Sequence, residues 1–166
     1  VGRARTFFGE GVVGHVGFGD PICPTFRKIL HDAAKDTGAE VHNGGTYICI
    51  EGPTFSTRAE SELFRSWGVS VIGMTNLPEA RLAREAGLSY ATIALATDYD
   101  CWHESEEDVS VEAVIAILQQ NVKTAQEVIQ KVATFMATED APKQSPFHDV
   151  AAMAIMTDRS KIPHER

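Results

Sequence analysis

The chain has 166 residues, of which 43% are apolar, 8% aromatic and 23% charged. These values are typical of one globular domain with a hydrophobic core, and they exclude low-complexity disorder, collagen and a disulfide-stapled miniprotein. A formal net charge of −8 disfavours a nucleic-acid partner, because contacts with a phosphate backbone need a basic face. An anionic small molecule is compatible with this charge, since a pocket can be locally positive inside an acidic protein.

The three cysteines, Cys23, Cys49 and Cys101, form no CxxC pair and are odd in number. They disfavour a disulfide framework or a zinc ribbon and fit a reducing compartment. No apolar run approaches membrane-spanning length and no signal segment is evident, so we expect a cytoplasmic protein with no membrane partner. The chain opens at Val1 rather than Met, and we expect it to be part of a longer polypeptide.

Apolar spacing, glycines and prolines predict strands that alternate with helices. In chain order, the predicted elements are a strand and turn over 7–18, a helix capped by Thr25 and ended by Gly38, a strand over 46–50, a helix from Ser56 or Thr57 to Gly68, a strand over 69–74, a helix from Pro78 towards Gly87, a strand over 88–96, a helix over 109–136 and a helix over 148–157. This alternation predicts an α/β fold with a mixed, largely parallel central sheet flanked by helices. We expect residues 1–166 to form a single domain.

Polar loops follow three of the predicted strands, over 51–57, 74–76 and 97–102. In open α/β sheets, ligands bind beyond the carboxyl ends of the strands. We therefore expect these three loops to lie together at one edge of the sheet and to carry the residues of the functional site.

A glycine-rich stretch over 9–14 matches the dinucleotide-binding pattern GxGxxG letter for letter. That mechanism needs a strand before the pattern and a helix after it, whose N-terminus holds the pyrophosphate. Here the residues that follow are strand-like and run into a proline turn. We interpret the match as coincidental.

Two carboxylates, Asp98 and Asp100, stand two residues apart at the end of a predicted strand. Such a pair can face one side, and a neutral carboxylic acid there can donate a proton to a leaving group. The alternative interpretation is that the two carboxylates lie in a solvated turn or cap a helix. The adjacent Cys101 and Trp102 favour a partly enclosed environment for the pair instead.

The loop over 51–58 combines a tight turn, the aromatic ring of Phe55 and hydroxyls at a helix N-terminus. This assembly can stack on a flat heterocycle and bind its polar edge, or it can be a helix cap beside a core Phe. His15 lies in the glycine-rich strand and has no second ligand residue at a spacing typical of metal sites. From its position alone, we expect a structural role for this histidine. Nothing in the sequence supports a metal site or a covalent nucleophile.

Three motifs occur in order along the chain: IEGPTFSTRAES at 50–61, MT at 74–75 before PE at 78–79, and ATDYDCW at 96–102. Together they resemble the 5′-methylthioadenosine phosphorylases, which form part of the trimeric class of purine nucleoside phosphorylases. The resemblance runs from about residue 11 to residue 118. It implies a nucleoside-phosphorylase-like fold, incomplete at its N-terminus, with residues 1–166 as its C-terminal portion.

The resemblance also implies a reaction, in which phosphate attacks the anomeric carbon of methylthioadenosine and releases adenine and 5-methylthioribose 1-phosphate. Asp98 is expected to protonate or hydrogen-bond the purine ring nitrogen, while Asp100 and Ser56 serve the exocyclic amino edge. Phe55 is expected to pack on the base, Met74 to contact the ribose and Thr75 the phosphate. His15 is expected to reach the 5′ substituent. The methylthio pocket is expected to be lined by Val109, Val111, Val114 and Ile115.

The family's N-terminal portion, which carries a phosphate loop, an Arg-His pair and a further Thr, has no match in these 166 residues. We expect either a homotrimer or an assembly with that portion, inorganic phosphate as co-substrate, and no cofactor. Two alternatives stay open: a nucleosidase that uses water, and a truncated or non-catalytic nucleoside-binding relative.

Overall fold

A computed structural model describes residues 2–103 and 111–162 of the chain, without the side chains of 111–114. The elements are α1 (Pro24–Lys35), β1 (Tyr47–Cys49), α2 (Arg58–Ser66), β2 (Val71–Gly73), α3 (Asn76–Glu85), α4 (Val111–Met136), α5 (Val150–Ala154) and a single 3-10 turn at Arg159–Lys161. Helices alternate with short parallel strands, which confirms the expected α/β class.

The two strands pair in parallel, with Tyr47 opposite Val71 and Cys49 opposite Gly73. The ladder continues past Cys49, because the Ile50 N–H donates to the Gly73 carbonyl oxygen at 2.9 Å. Gly73 is required in this register, since a Cβ at that position would lie only 1.9 Å from the hydroxyl oxygen of Tyr47. The carboxyl ends of both strands therefore lie at one edge, as parallel pairing demands.

Two predicted strands are corrected by the structure. The segment over 88–96 is irregular in the part of the chain that the structure describes, and over 7–18 the one strand-like feature is an isolated antiparallel bridge between Gly14 and Ile155. A strand is defined by its pairing as well as by its side chains. The Cys23 N–H does donate to the Tyr90 carbonyl oxygen at 2.8 Å, but no continuous ladder develops from that bond among the described residues.

Helix α2 begins at the predicted cap. The Thr57 hydroxyl accepts from the Glu60 N–H, and the Glu60 carboxylate accepts from the Thr57 N–H, which forms a capping box. The bonds from the Thr57 backbone and side chain hold the pKa of the Glu60 carboxyl below its usual value. The helix ends before Gly68, whose φ of 75° is in the left-handed region that suits glycine.

The other helix ends differ from the prediction by small amounts. Helix α1 begins at Pro24, one residue before the predicted Thr25 cap. Helix α5 is shorter than predicted, because Ile155 leaves the helix in an extended conformation to make the bridge with Gly14. The first residues predicted for the long helix, 109–110, lie outside the described residues.

The described residues divide into two compact units. The first comprises Val1–Arg27, Thr75–Thr92 and Pro142–Arg166, and the second comprises Lys28–Met74 and Ile93–Ala141. In the second unit, the buried apolar side chains include Ala33, Val128 and Val132. No helix in the part of the chain that the structure describes is long and apolar enough to cross a membrane.

The first unit is organised around a buried arginine. Arg84 on α3 is only 7% exposed. Its guanidinium donates to the carbonyl oxygens of Gly17 at 2.8 Å and Asp20 at 2.5 Å. It also stacks on the ring of Phe147, 3.7 Å from the ring centroid. One planar cation thus joins α3 to the segment that carries His15 and to the segment before α5.

Replacement of Arg84 by lysine tests this organisation, because an ammonium group on a shorter reach cannot donate in a fork and stack on a ring at once. We expect Arg84→Lys to lower the free energy of unfolding by about 1–3 kcal/mol. Arg81→Lys, on an exposed residue of the same helix, is the matched control and should change it little. Urea unfolding of both variants measures the difference, and equal midpoints would contradict a structural role for Arg84.

Candidate functional site

The carboxylate of Asp98 is held at both of its oxygens. The backbone N–H of Asp100 donates to Asp98 Oδ1 at 2.9 Å, and the Thr97 hydroxyl donates to Oδ2 at 2.8 Å. The side chain of Asp98 is nevertheless exposed. Its orientation is therefore fixed by local bonds while the group stays accessible to a ligand.

Asp100 lies deeper and has an unusual backbone. Its φ is 65°, in the left-handed region that non-glycine residues rarely adopt. Its carboxylate Oδ2 accepts a hydrogen bond of 2.6 Å from the Ser61 hydroxyl on α2. Ser61 is 2% exposed, so this bond is shielded from water. Asp100 is thus anchored to a helix, whereas Asp98 is anchored to its own loop.

Ser56 stands beside the same segment. The Cys101 thiol lies within hydrogen-bonding distance of the Ser56 carbonyl oxygen, at 3.6 Å. The Ser56 hydroxyl oxygen is buried and has no hydrogen-bond partner among the residues that the structure describes. A buried hydroxyl without a partner costs free energy, so a hydrogen bond to this group would be favourable.

Three aromatic or imidazole side chains, those of Tyr99, Trp102 and His103, lie in the same segment as the two carboxylates. The Arg65 guanidinium lies 3.6 Å from the centroid of the Trp102 ring, and the rings of Tyr99 and His103 stack at 4.8 Å. Cys101 and Trp102 are half-buried, whereas Asp98 is exposed and Tyr99 is 69% exposed, so these residues do not shield Asp98 from water.

The loop before α2 approaches the end of β2 through a glycine. Gly52 has a φ of 67°, and a Cβ at this position would lie 2.8 Å from the sulfur of Met74. Met74 is half-buried. The ring of Phe55 is 84% exposed, so among described residues it covers no core. The structure thus brings Ser56, Met74, Asp98 and Asp100 onto neighbouring segments of the second unit.

Of the other predicted site residues, two belong to the first unit. Thr75 is the residue before α3 in the first unit and makes no side-chain cap bond there. His15, also in the first unit, is exposed and lines a cavity of about 180 Å³ with Val16, Gly17, Val150, Met153 and Ala154. Ile115 on α4 is 48% exposed. Val111 and Val114 lie on the same helix, and Val109 lies outside the described residues.

The described part of the chain contains no group of three or more metal-ligating side chains. In the glycine-rich pattern, residues 9–12 form a turn in which the Val12 N–H donates to the Gly9 carbonyl oxygen at 2.9 Å. The next helix is α1, ten residues beyond the pattern, so the strand–turn–helix context of a dinucleotide site is not met there.

Sequence reasoning assigned no role to Ser61, although this residue anchors one of the two carboxylates. Its position offered one signal: it precedes the half-buried Phe64 by three residues and thus occupies the inward face of an amphipathic helix. A polar residue on such a face needs a partner. The partner, 39 residues away, could not be identified from spacing.

Comparisons with known proteins agree on one family. The family model described as the phosphorylase superfamily matches residues 1–134. The S-methyl-5′-thioadenosine phosphorylase of Geobacter sulfurreducens is 57% identical over 163 residues, which are 98% of this chain and 56% of that protein. The corresponding enzyme of Thermosynechococcus vestitus is 51% identical, over 97% of this chain and 56% of that protein.

Solved structures give the same result. A methylthioadenosine phosphorylase from an antarctic soil metagenomic library superposes with a TM-score of 0.89 at 44% identity, over 98% of this chain and 57% of that one. A mutant adenosine/methylthioadenosine phosphorylase of Schistosoma mansoni in complex with methylthioadenosine superposes with a TM-score of 0.73 at 34% identity, over 84% of this chain and 55% of that one.

The chain therefore spans about half the length of the relatives it matches. The match covers most of the chain at high identity and the fold superposes closely, so the fold is that of a nucleoside phosphorylase. The chain belongs to the phosphorylase superfamily.

Proposed function

We propose that this chain carries the purine-binding part of a 5′-methylthioadenosine phosphorylase, which releases adenine and 5-methylthioribose 1-phosphate. The observation that carries the proposal is the pair Asp98 and Asp100, each oriented by hydrogen bonds, on a segment whose Cys101 thiol lies 3.6 Å from the carbonyl oxygen of Ser56. The names of the relatives favour phosphate rather than water as the nucleophile.

In this proposal Asp98 assists the departure of the base. Adenine is a poor leaving group as an anion, so a carboxyl group that donates a proton or a hydrogen bond to its ring nitrogen lowers the barrier. The bonds from Thr97 and from the Asp100 N–H would set the direction of that carboxyl group. Its exposure in the chain gives the substrate access to it.

Asp100 and Ser56 would recognise the exocyclic amino edge of the base, because a carboxylate oxygen and a hydroxyl can both accept from an amino group. Phe55 would stack on the base, since a ring that is 84% exposed can be covered by a flat ligand. Met74 would contact the ribose, Thr75 the phosphate and His15 the 5′ substituent. An apolar methylthio pocket would be formed by Val109, Val111, Val114 and Ile115.

We further propose a single domain over 1–166, as the C-terminal portion of the family fold, and a cytoplasmic role in purine and methionine salvage. Inorganic phosphate would be the co-substrate, with no cofactor. The support for these proposals is the names of the relatives, which are methylthioadenosine phosphorylases.

The variant Asp98→Asn tests the acid role. An amide keeps the shape of the side chain but cannot supply the proton, so we expect turnover of methylthioadenosine to fall by about 10²–10⁴-fold while substrate binding changes little. Steady-state kinetics with isothermal titration of the substrate separates the two effects. Asp36→Asn, on an exposed aspartate after α1, is the control and should leave both unchanged. Equal losses in turnover and binding would contradict the acid role.

The proposed assembly is a homotrimer, or a complex with the N-terminal portion of the family fold. Its support is an apolar stripe on α4, formed by the exposed side chains of Ile115, Leu118, Val122, Ile129 and Met136. Contiguous apolar surface of this kind marks an interface.

Light scattering coupled to size exclusion tests self-assembly of the purified chain. We expect the mass of three chains for the parent and a smaller mass for Ile129→Glu, since a charge in a packed interface costs free energy. Gln130→Glu, which adds the same charge at the neighbouring exposed position, is the control. A mass of one chain, 18.1 kDa, for the parent would contradict the homotrimer.

A further inference from the structure

One buried hydroxyl determines how Asp100 can meet a ligand. Ser61 is 2% exposed, and its O–H donates to Asp100 Oδ2 at 2.6 Å. Because Ser61 occupies one acceptor position of Oδ2, Oδ1 is the oxygen that keeps both of its acceptor positions for a ligand. A hydrogen bond to a charged group in a water-excluded place is stronger than one between neutral groups.

The donor stands on a rigid support. Ser61 follows the capping box of α2 directly, and its own N–H donates to the Thr57 carbonyl oxygen at 3.0 Å. Serine hydroxyls inside helices often bond back to a carbonyl oxygen one turn earlier. The Ser61 hydroxyl instead crosses to a carboxylate 39 residues away. Its orientation therefore serves Asp100 rather than the helix.

Asp100 has a second restraint, at its backbone. With a φ of 65° it occupies the left-handed region, which costs a non-glycine residue free energy. In that conformation its N–H points back to Asp98 Oδ1, at 2.9 Å. The backbone of Asp100 thus orients Asp98, while Ser61 orients the side chain of Asp100. Asp100 therefore connects Ser61, which bonds to its side chain, with Asp98, which accepts from its backbone N–H.

We propose that Ser61 is a positioning residue that holds Asp100 as a hydrogen-bond acceptor and so makes the site select 6-amino over 6-oxo purines. This inference rests on the proposed function. A carboxylate that receives a donor at Oδ2 presents an acceptor at Oδ1. An exocyclic amino group donates to that oxygen, whereas a 6-oxo group places a second acceptor against it. A ligand that leaves the polar groups of such a site without hydrogen-bond partners binds much more weakly than one that pairs with them.

Calorimetric titration of the full chain with adenine and with hypoxanthine tests the inference, since these bases differ in the 6-amino and 6-oxo groups. We expect Ser61→Ala to weaken adenine binding by about tenfold and hypoxanthine binding by less than about twofold, because Asp100 is then free to rotate. Ser61→Thr keeps the hydroxyl and should keep the parent ratio of the two affinities. Ser66→Ala, which removes an exposed hydroxyl from the same helix, should behave as the parent.

The ratio of the two affinities distinguishes positioning from general structural support, since a loosened fold would weaken both bases alike. An unchanged ratio in folded Ser61→Ala would overturn the inference. If that variant does not fold, Ser61→Cys, whose thiol is a weak donor, must lower the ratio relative to Ser61→Thr, and equal ratios would overturn the inference instead. Failure of the unaltered chain to bind adenine would overturn the proposed function, and the inference with it. That result is separate, because it is seen before any substitution is made.

Discussion

The hydrogen bond between Ser61 and Asp100 is the constraint on which the candidate site depends. It joins the first turns of α2 to the segment over 97–102, and no ladder of backbone bonds does this among the described residues. Asp100 in turn donates its backbone N–H to Asp98, whose other carboxylate oxygen accepts from the Thr97 hydroxyl. The Ser61 contact therefore orients the Asp100 side chain directly and reaches Asp98 only through Asp100. The contact is short and shielded, so it can hold a backbone conformation that is unfavourable by itself.

The parallel pairing of β1 and β2 supplies the second constraint. Parallel strands end at one edge, and the residues that follow them there are the loop over 51–57 and Met74. Two glycines make this arrangement possible. Gly73 leaves room for the Tyr47 hydroxyl within the pair, and Gly52 leaves room for the sulfur of Met74 beyond it. The packing of the second unit thus places Met74 against the loop that carries Ser56.

Local patterns predicted the helices well. The Thr57 cap of α2 and the glycine at 68 are encoded within a few residues of the helix, and the structure confirms both. The predicted strand over 88–96 was wrong for a physical reason: its β-branched and apolar residues favour an extended chain, but a strand also needs a partner at the right distance. Pairing is a long-range property that no local pattern contains.

The same distinction between local patterns and long-range contacts applies to the candidate site. Asp98, Asp100 and Ser56 were predicted as site residues from ordered motifs that resemble a known family, and carboxylates and a hydroxyl suit a purine edge. The role of Ser61 did not follow, because it arises from a contact between residues far apart in the chain. The sequence could have indicated Ser61 as a polar residue on the inward face of α2. Its partner, Asp100, could be identified only from the structure.

The most direct test of the central claim is the release of adenine from methylthioadenosine by the purified protein, measured with and without inorganic phosphate. A phosphorylase transfers the ribosyl group to phosphate, so the account predicts release that depends on phosphate and yields one 5-methylthioribose 1-phosphate per adenine. Release at the same rate without phosphate would contradict it, because water would then be the nucleophile.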